Sequence, residues 1–408
     1  MKKIYSVLLC FLMVVFTNSA SALSDWTIAI YMSNEDNSST MLEDSNIDNL
    51  LKMTKAISPG LVNIVVQADR GKLISDYQKE IYKNPNYRGA LRYSIQPNSL
   101  VEEEVLGEVN MGSPYTLWNF MKWAAVKYPS KHFCLIINSH GSGVFSPYGP
   151  GSISDSKPGS VNFDPSRFVA SDGTSGDCLT IFEVAAVTRA FRDRLNAGKP
   201  IDIAAFDACL PGMVEVLYQL RDSTRLMVGS AGKTGITGFA YRAITEKLSE
   251  EPSISAENLA KFISDQDYSQ LLGAWQTAKA EELAFEMNNF ARECIQAMKT
   301  TAKKFVIENL ATYEDKNRYC DIFSLASSIQ EGTCNFNGAS NQGIIRAIAG
   351  EILETLTAAN LREEGGNLTV AWPQTTEYKA ARQLYKALEF SAQTNWDEML
   401  DLHVLGIK

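Results

Sequence analysis

Short apolar runs alternate with amphipathic stretches along the first half of the chain. The clearest apolar runs occupy residues 26–32, 61–69, 133–138, 201–206 and 225–230, and polar or Gly-rich segments bound each of them. Runs of this length, rich in β-branched and aromatic residues, predict buried β-strands.

Between these runs the apolar positions recur at three- and four-residue steps, which predicts helices. The helices are expected over residues 40–57, 115–127, 180–195 and 211–221. Strands that alternate with helices in this way are typical of a mostly parallel sheet covered on both faces. The predicted fold class is therefore α/β.

The second half of the chain is more helical. From about residue 252 to 315 the pattern predicts helix, and 367–373 predicts a further strand before an amphipathic helix over 378–400. We also expect a small hairpin around Gly89. The helical region carries an apolar stripe that we interpret as a packing face rather than a ligand site, formed by Leu283, Met287, Phe290, Cys294 and Met298.

Residues 141–176 have no sustained periodicity and are dense in Gly, Pro, Ser and Asp. This composition predicts a long loop, and loops of such length in compact domains often carry function.

The N-terminus has the pattern of a secretory signal peptide. Lys2 and Lys3 precede an apolar run over residues 4–16, and Ala20-Ser21-Ala22 supplies the small residues of a cleavage site. We predict cleavage after Ala22, a secreted or periplasmic protein, and one domain over residues 23–408. A membrane-tethered N-terminus is the alternative.

Composition and charge exclude some functions. Of the 408 residues 45% are hydrophobic and 21% charged, as in ordinary globular proteins. Loss of the two leader lysines changes the net charge from −9 to −11. An acidic chain is a poor partner for nucleic acid. No later segment is long and apolar enough to span a membrane, and we expect a monomer that does not contact the bilayer.

Seven cysteines, of which Cys10 lies in the leader, are too few for a disulfide scaffold. A bridge between Cys320 and Cys334 is left open by the sequence.

Two polar turns follow predicted strands and carry candidate chemistry. His140 lies in INSHG and Cys209 in FDACLPG. Functional groups of parallel sheets gather at the carboxyl ends of strands, so this pair suits a cysteine nucleophile with a histidine base. The amides of Gly141 and Cys209 would then form an oxyanion hole. A helix predicted to start at Pro211 would favour the thiolate.

Asp207 is expected on the same side as Cys209, because side chains alternate along a strand. Its carboxylate could bind a guanidinium or ammonium group of a substrate. From spacing alone, a buried thiol and an ordinary loop histidine are the more usual interpretation. His132 and His403 are expected to be structural or exposed.

Several segments together resemble the clostripain-like cysteine peptidases of the caspase-like clan. They are WTIAIYMSNEDN, VVQAD, SHG at 139–141, ASDGTSGDCLTIFEV, FDACL at 206–210, VGSAGKTGITGFAY, DIFSL, LTVAWP and TNWDEML. The resemblance extends over nearly all of residues 25–402, and it implies a caspase-like three-layer α/β/α sandwich.

The resemblance implies roles for single residues. His140 matches the catalytic histidine, Cys209 the nucleophile, and Asp207 the acid of a pocket for a basic side chain. It further implies an endopeptidase that cleaves proteins or peptides after Arg or Lys through an acyl-enzyme thioester. Self-processing in the loop between His140 and Cys209 is also implied, with Lys157 and Arg167 as candidate cut sites.

Three positions depart from the family pattern and leave the pocket shape and the substrate preference open. Pro211 stands where Met is frequent, Ala231 where an acidic or amide residue is frequent, and Phe239 where Trp is usual. One alternative is therefore a related peptidase with non-basic specificity. A separate alternative is a catalytically idle scaffold that binds a partner protein, but such a scaffold has no physical need to keep His140, Cys209 and Asp207. We predict no cofactor or metal, with a calcium requirement left open.

Overall fold

A computed structural model describes residues 23–33, 40–71, 87–144, 169–266, 271–301, 312–313, 318–333, 338–362, 368–373 and 375–407. The strands within these residues are, in chain order, β1 Ser24–Ser33, β2 Val62–Ala68, β3 Ala90–Gln96, β4 Ser99–Gly107, β5 Ser130–Ser139, β6 Ala170–Asp172, β7 Asp177–Leu179, β8 Ile201–Asp207, β9 Thr224–Ser230, β10 Leu272–Gln276, β11 Thr312–Tyr313, β12 Tyr319–Asp321 and β13 Thr369–Ala371.

The α-helices of the described residues connect and cover these strands. They are α1 Thr40–Ala56, α2 Pro114–Lys127, α3 Ile181–Arg194, α4 Val214–Leu220, α5 Tyr241–Glu250, α6 Ala256–Asp265, α7 Ala280–Thr301, α8 Ile322–Glu331, α9 Gln342–Ala359, α10 Thr375–Lys386, α11 Glu389–Gln393 and α12 Trp396–Leu400. None of the described helices is both long and apolar enough to cross a membrane.

Eight strands form the central sheet, in the order β10-β9-β8-β5-β1-β2-β3-β4. The five strands from β9 to β2 are parallel to their neighbours, and β10, β3 and β4 add antiparallel edges. All five apolar runs predicted as strands belong to the parallel core. The mostly parallel sheet is thus confirmed.

Helices cover both faces of this sheet. Along β5, Phe133, Leu135 and Ile137 pack with residues of α2, α3, α4 and α7, whereas Cys134 and Ile136 pack with residues of α1, α5 and α6. Both faces of a central parallel strand are buried, so its sequence is continuously apolar rather than alternating. The three-layer α/β/α arrangement is confirmed, and the apolar stripe of α7 is buried as predicted.

Some element predictions are wrong. Residues 272–276 form β10 within the expected helical region 252–315, because their backbone pairs with β9. The expected helix over 378–400 is divided among α10, α11 and α12, since Leu388 and Thr394 have extended backbones. The hairpin turns at 97–98 between β3 and β4 rather than at Gly89. Strand β4 was not predicted because its glutamates interrupt the apolar pattern of this edge strand.

The predicted loop over residues 141–176 is described only at its two ends. Residues 145–168 lie outside the described residues, as do residues 1–22 of the predicted leader. The last part of the expected loop is a short hairpin of β6 and β7, so the loop prediction is wrong there. The hairpin docks on the strand ends through Ser171, whose amide donates to the Ser139 hydroxyl at 3.0 Å.

Candidate active site

The register of two adjacent parallel strands brings the two predicted turns together. Asn138 of β5 pairs with Asp207 of β8. His140 and Cys209 each follow two residues later, at the same edge of the sheet. Neighbouring strands lie about 4.8 Å apart, so the two side chains start from adjacent strand ends.

Close backbone packing at Gly141 joins the two turns. A Cβ added at Gly141 would stand 3.1 Å from both the Cys209 nitrogen and the Ala208 Cβ, and nearer still to the Cys209 carbonyl oxygen. Any side chain at position 141 would therefore displace the nucleophile. Within the described part of the chain, neither the Gly141 nor the Cys209 amide donates to another backbone group.

The turn after Cys209 is held in an unusual conformation by contacts with β9 and its following loop. Leu210 has φ +72°, a left-handed conformation that costs a non-glycine residue free energy and persists only when its surroundings enforce it. Its amide donates to the Gly232 carbonyl at 3.0 Å, and the Gly212 amide donates to the Ser230 carbonyl at 2.8 Å.

The helix expected from Pro211 begins only at Val214, so that prediction is wrong in its first turn. Residues 211–213 instead pair with β9 and with Thr369 of β13. Consequently α4 does not begin directly after the Cys209 thiol.

The Cys209 side chain is a partly exposed free thiol, whereas Cys134 is buried. Its sulfur is approached by one residue of the loop between β9 and α5, residues 231–240, which we call the β9–α5 loop. The Thr234 amide donates to Sγ at 3.4 Å, and the Thr234 hydroxyl lies 3.7 Å from Sγ. Sequence patterns contained no indication of this contact, because it joins residues 25 positions apart.

The carboxylate of Asp207 is buried under the same loop, with 3% of the residue exposed. Oδ2 accepts hydrogen bonds from Asn138 Nδ2 at 2.5 Å and from the Tyr241 hydroxyl at 2.8 Å. Burial raises the pKa of Asp207, and the bonds from Tyr241, the Phe239 amide and Asn138 oppose that rise. Gly238 also abuts the carboxylate, where a Cβ would collide with it.

Helix α1 supports Asn138 and the β9–α5 loop. Asn46 Nδ2 donates to Asn138 Oδ1 at 2.8 Å, and Asn49 Nδ2 donates to the Thr237 carbonyl at 2.9 Å. Sequence reasoning missed Asn138 and Tyr241. The sequence did contain a signal for Asn138. It lies two residues before His140, just as Asp207 lies two residues before Cys209, and the two residues are paired in the parallel register.

The small sheet of β11, β12 and β13 braces both turns from one side. The Tyr319 hydroxyl donates to the Ser142 carbonyl at 2.9 Å, close after His140. The Thr369 amide and hydroxyl donate to the Gly212 carbonyl at 2.9 and 3.1 Å, close after Cys209. Since β12 pairs with β13, one small sheet holds both segments.

The other histidines lie in packed surroundings. His132 is at the opposite end of β5, where its Nδ1 is 3.1 Å from Asp202 Oδ1 and its ring packs on Trp26. The His403 ring packs on Trp372. The candidate cut sites Lys157 and Arg167 lie outside the described residues.

His140 and Cys209 follow adjacent strand ends of a caspase-like α/β/α fold, with Gly141 packed against the Cys209 backbone, and this placement suits a cysteine nucleophile with a histidine base. The chain belongs to the clostripain family, whose sequence profile matches residues 30–402.

Similar proteins agree with this assignment. Clostripain of Hathewaya histolytica is 25% identical over 240 residues, which are 54% of this chain and 42% of that protein, so the match spans less than half of the relative. An inactive protease zymogen from Parabacteroides distasonis has the same fold, with a TM-score of 0.62 and 15% identity over 92% of this chain and 99% of that one. A secreted cysteine protease from Bacteroides thetaiotaomicron, solved with an irreversible peptide inhibitor, has a TM-score of 0.60 at the same identity and coverages.

Proposed function

We propose that the protein is a secreted cysteine endopeptidase that cleaves proteins or peptides after Arg or Lys, with His140 and Cys209 as its catalytic dyad. The observation that carries the proposal is the pairing of Asn138 with Asp207, together with the packing of Gly141 on Cys209. The two groups then share one site at the end of a rigid parallel sheet.

In the first half of the reaction, His140 takes the proton of the Cys209 thiol. The thiolate sulfur attacks the carbonyl carbon of the scissile bond, because the thiolate and not the thiol is the nucleophile. A carbon–sulfur bond forms, and the electron pair of the carbonyl moves to its oxygen. The amides of Gly141 and Cys209 donate to this oxyanion.

In the second half, the carbon–nitrogen bond breaks and His140 gives its proton to the leaving amine. The remaining acyl group is a thioester on Cys209. A water molecule then loses a proton to His140 and attacks the thioester. The carbon–sulfur bond breaks, the new carboxylic acid leaves, and the proton on His140 returns to the sulfur.

Asp207 supplies the preference for a basic side chain in this proposal. Its carboxylate is buried at the end of β8, two residues before the nucleophile. A negative charge in surroundings of low dielectric constant attracts a guanidinium or ammonium group more strongly than it would in water. A substrate cation would have to share the carboxylate with Asn138 and Tyr241.

A second candidate is a peptidase with non-basic specificity, and the same contacts favour it. Asp207 already accepts hydrogen bonds from two side chains and one backbone amide, and burial raises its pKa, which favours the neutral carboxyl. Ala231, at the start of the β9–α5 loop, is fully buried and adds no charge to this side of the site.

The proposal includes secretion and self-processing. A leader over residues 1–22 would be removed after Ala22, and cleavage after Lys157 or Arg167 would mature the enzyme. Sequencing the N-termini of active protein tests both steps, since the expected ends are a start at Leu23 and a second start at Pro158 or at Phe168. Active protein without a new terminus near either site would remove self-processing.

The decisive experiment compares the wild type with Cys209→Ala on peptides that present Arg, Lys, Asn or Asp before the cleaved bond. We expect the wild type to cleave the Arg and Lys peptides and the variant to cleave none. Asp207→Asn should lower cleavage of the basic peptides more than of the others. Cleavage after uncharged residues would support the second candidate, and equal inertness of wild type and variant would support an idle binding scaffold.

A further inference from the structure

The sulfur of Cys209 has a polar neighbour that neither the dyad nor the oxyanion hole includes. Thr234 presents two groups to it, the backbone amide at 3.4 Å and the hydroxyl at 3.7 Å from Sγ. Both distances lie within the range of hydrogen bonds to sulfur, whose atomic radius is larger than that of oxygen. Thr234 itself is only partly buried, so its side chain borders the open side of the thiol.

The β9–α5 loop is tied to the fold on both sides of Thr234. Before it, the Ala231 amide donates to the Leu271 carbonyl at 2.9 Å, and the Gly232 carbonyl accepts from Leu210 at 3.0 Å. After it, the Thr237 carbonyl accepts from Asn49 of α1 at 2.9 Å. The position of Thr234 against the sulfur therefore follows from contacts at several points of the loop.

We propose that Thr234 is a further catalytic residue, which holds the Cys209 sulfur and stabilises its anionic form before attack. The inference rests on the proposed function, because it assigns a role in the same nucleophilic site. Once the proton of the thiol has gone to His140, the hydroxyl and the amide of Thr234 both donate to the thiolate sulfur. Thr234 keeps its own proton throughout, and no bond to it forms or breaks.

In this role the β9–α5 loop supplies hydrogen-bond donors to a thiol at which the following helix, α4, does not begin. Hydrogen bonds from positioned donors favour an anion over its neutral form. Because α4 begins only at Val214, the helix that follows Cys209 in the chain does not start at the thiol. The two donors of Thr234 act where a helix N-terminus would otherwise act.

The test uses the reactivity of the thiol as well as peptide cleavage. Thr234→Val removes the hydroxyl with little change in shape, Thr234→Ser retains it, and Thr237→Val makes the same change on an exposed residue of the same loop. The rate of Cys209 alkylation by iodoacetamide is measured in the full chain by mass spectrometry, with Cys209→Ala as the blank. Here the thiolate sulfur displaces iodide and forms a carbon–sulfur bond.

We expect Thr234→Val to slow alkylation and to lower kcat about tenfold, with KM unchanged. A loss of about tenfold is the effect expected when one hydrogen bond to a charged group is removed. Thr234→Ser should stay within about twofold of the wild type, and Thr237→Val should not differ from it. Thermal unfolding of each variant reports whether the fold is kept.

Three results would overturn the inference. An unchanged alkylation rate in Thr234→Val means that the hydroxyl does not assist the sulfur. A faster rate means that the contact shields the thiol, and an equal loss in Thr237→Val means that the loop fold is responsible. If no peptide is cleaved but the alkylation rates follow the expected order, the proposed peptidase function fails while the role of Thr234 stands.

Discussion

At the scale of single residues, the candidate site depends on two positions with a constrained backbone. Gly141 lies against the backbone of Cys209, and Leu210 takes a left-handed conformation directly after the nucleophile. Both features fix where the Cys209 backbone lies relative to Gly141, whose amide we propose as an oxyanion donor. Because the close contact at Gly141 and the left-handed backbone of Leu210 set the geometry of the turn, changing either residue should affect the rate of the reaction more than the affinity for substrate.

Gly141→Ala should lower kcat by about 100-fold, the order of loss expected when reacting groups shift by about 1 Å. The added methyl group would collide with the Cys209 backbone and move one of the two turns. Gly60→Ala is the matched control, because a Cβ there would meet nothing within 4 Å. Steady-state kinetics on one peptide measures both variants, and equal activity of Gly141→Ala and wild type would contradict the geometry of the oxyanion amides.

At the scale of elements, α4 connects the nucleophile segment to the C-terminal part of the chain. Its Glu215 is fully buried. Oε1 accepts from the Ala371 amide of β13 and from the Tyr385 hydroxyl of α10, each at 2.9 Å. Burial raises the pKa of Glu215 to about 7, and these hydrogen bonds offset only part of that rise.

The raised pKa predicts a loss of stability with rising pH. Between the ordinary pKa of 4.5 and about 7, the folded protein holds a proton on Glu215 that the unfolded chain has lost. The unfolding free energy therefore falls in this window, by about 2 to 3 kcal/mol from pH 5 to pH 8. Urea unfolding at the two pH values measures the difference.

Glu215→Gln isolates this contribution, because glutamine has nearly the same shape and does not titrate. We expect the variant to lose about 2 to 3 kcal/mol less than the wild type between pH 5 and pH 8. Glu250→Gln, at the exposed end of α5, should leave the wild-type dependence unchanged. Parallel pH dependences of wild type and Glu215→Gln would show that Glu215 does not titrate in this window.

Some elements could be predicted from the local sequence and others could not. The five parallel strands were found because a strand buried on both faces must be continuously apolar. Strand β10 and the late start of α4 were missed. Both depend on pairing with β9, a partner distant in sequence, and a local pattern contains no information about that pairing.

At the scale of the whole molecule, the segments before and after the proposed processing loop are interleaved in one sheet. Strand β5 precedes the loop and β8 follows it, and the two are paired at the centre of the sheet. Ser171, after the loop, also accepts from the Ser33 hydroxyl at 2.7 Å. A cut between residues 145 and 168 would therefore leave two chains that share one hydrophobic core.

Processed protein should consequently remain one particle. We expect two bands under denaturing electrophoresis but a single peak of the full mass in gel filtration, because separation would expose both faces of β5 and β8. Cys209→Ala should give one band and the same peak. Elution of two separate pieces under native conditions would contradict the shared core.

The sequence by itself determined the parallel strands and the place of His140 and Cys209 at strand ends, because these depend on local apolar patterns and on residue type. Only the tertiary structure decided which groups meet there. The contact of Thr234 with the sulfur and the burial of Asp207 under Asn138 and Tyr241 join distant segments. Such contacts arise from strand register and loop packing, which no local pattern encodes.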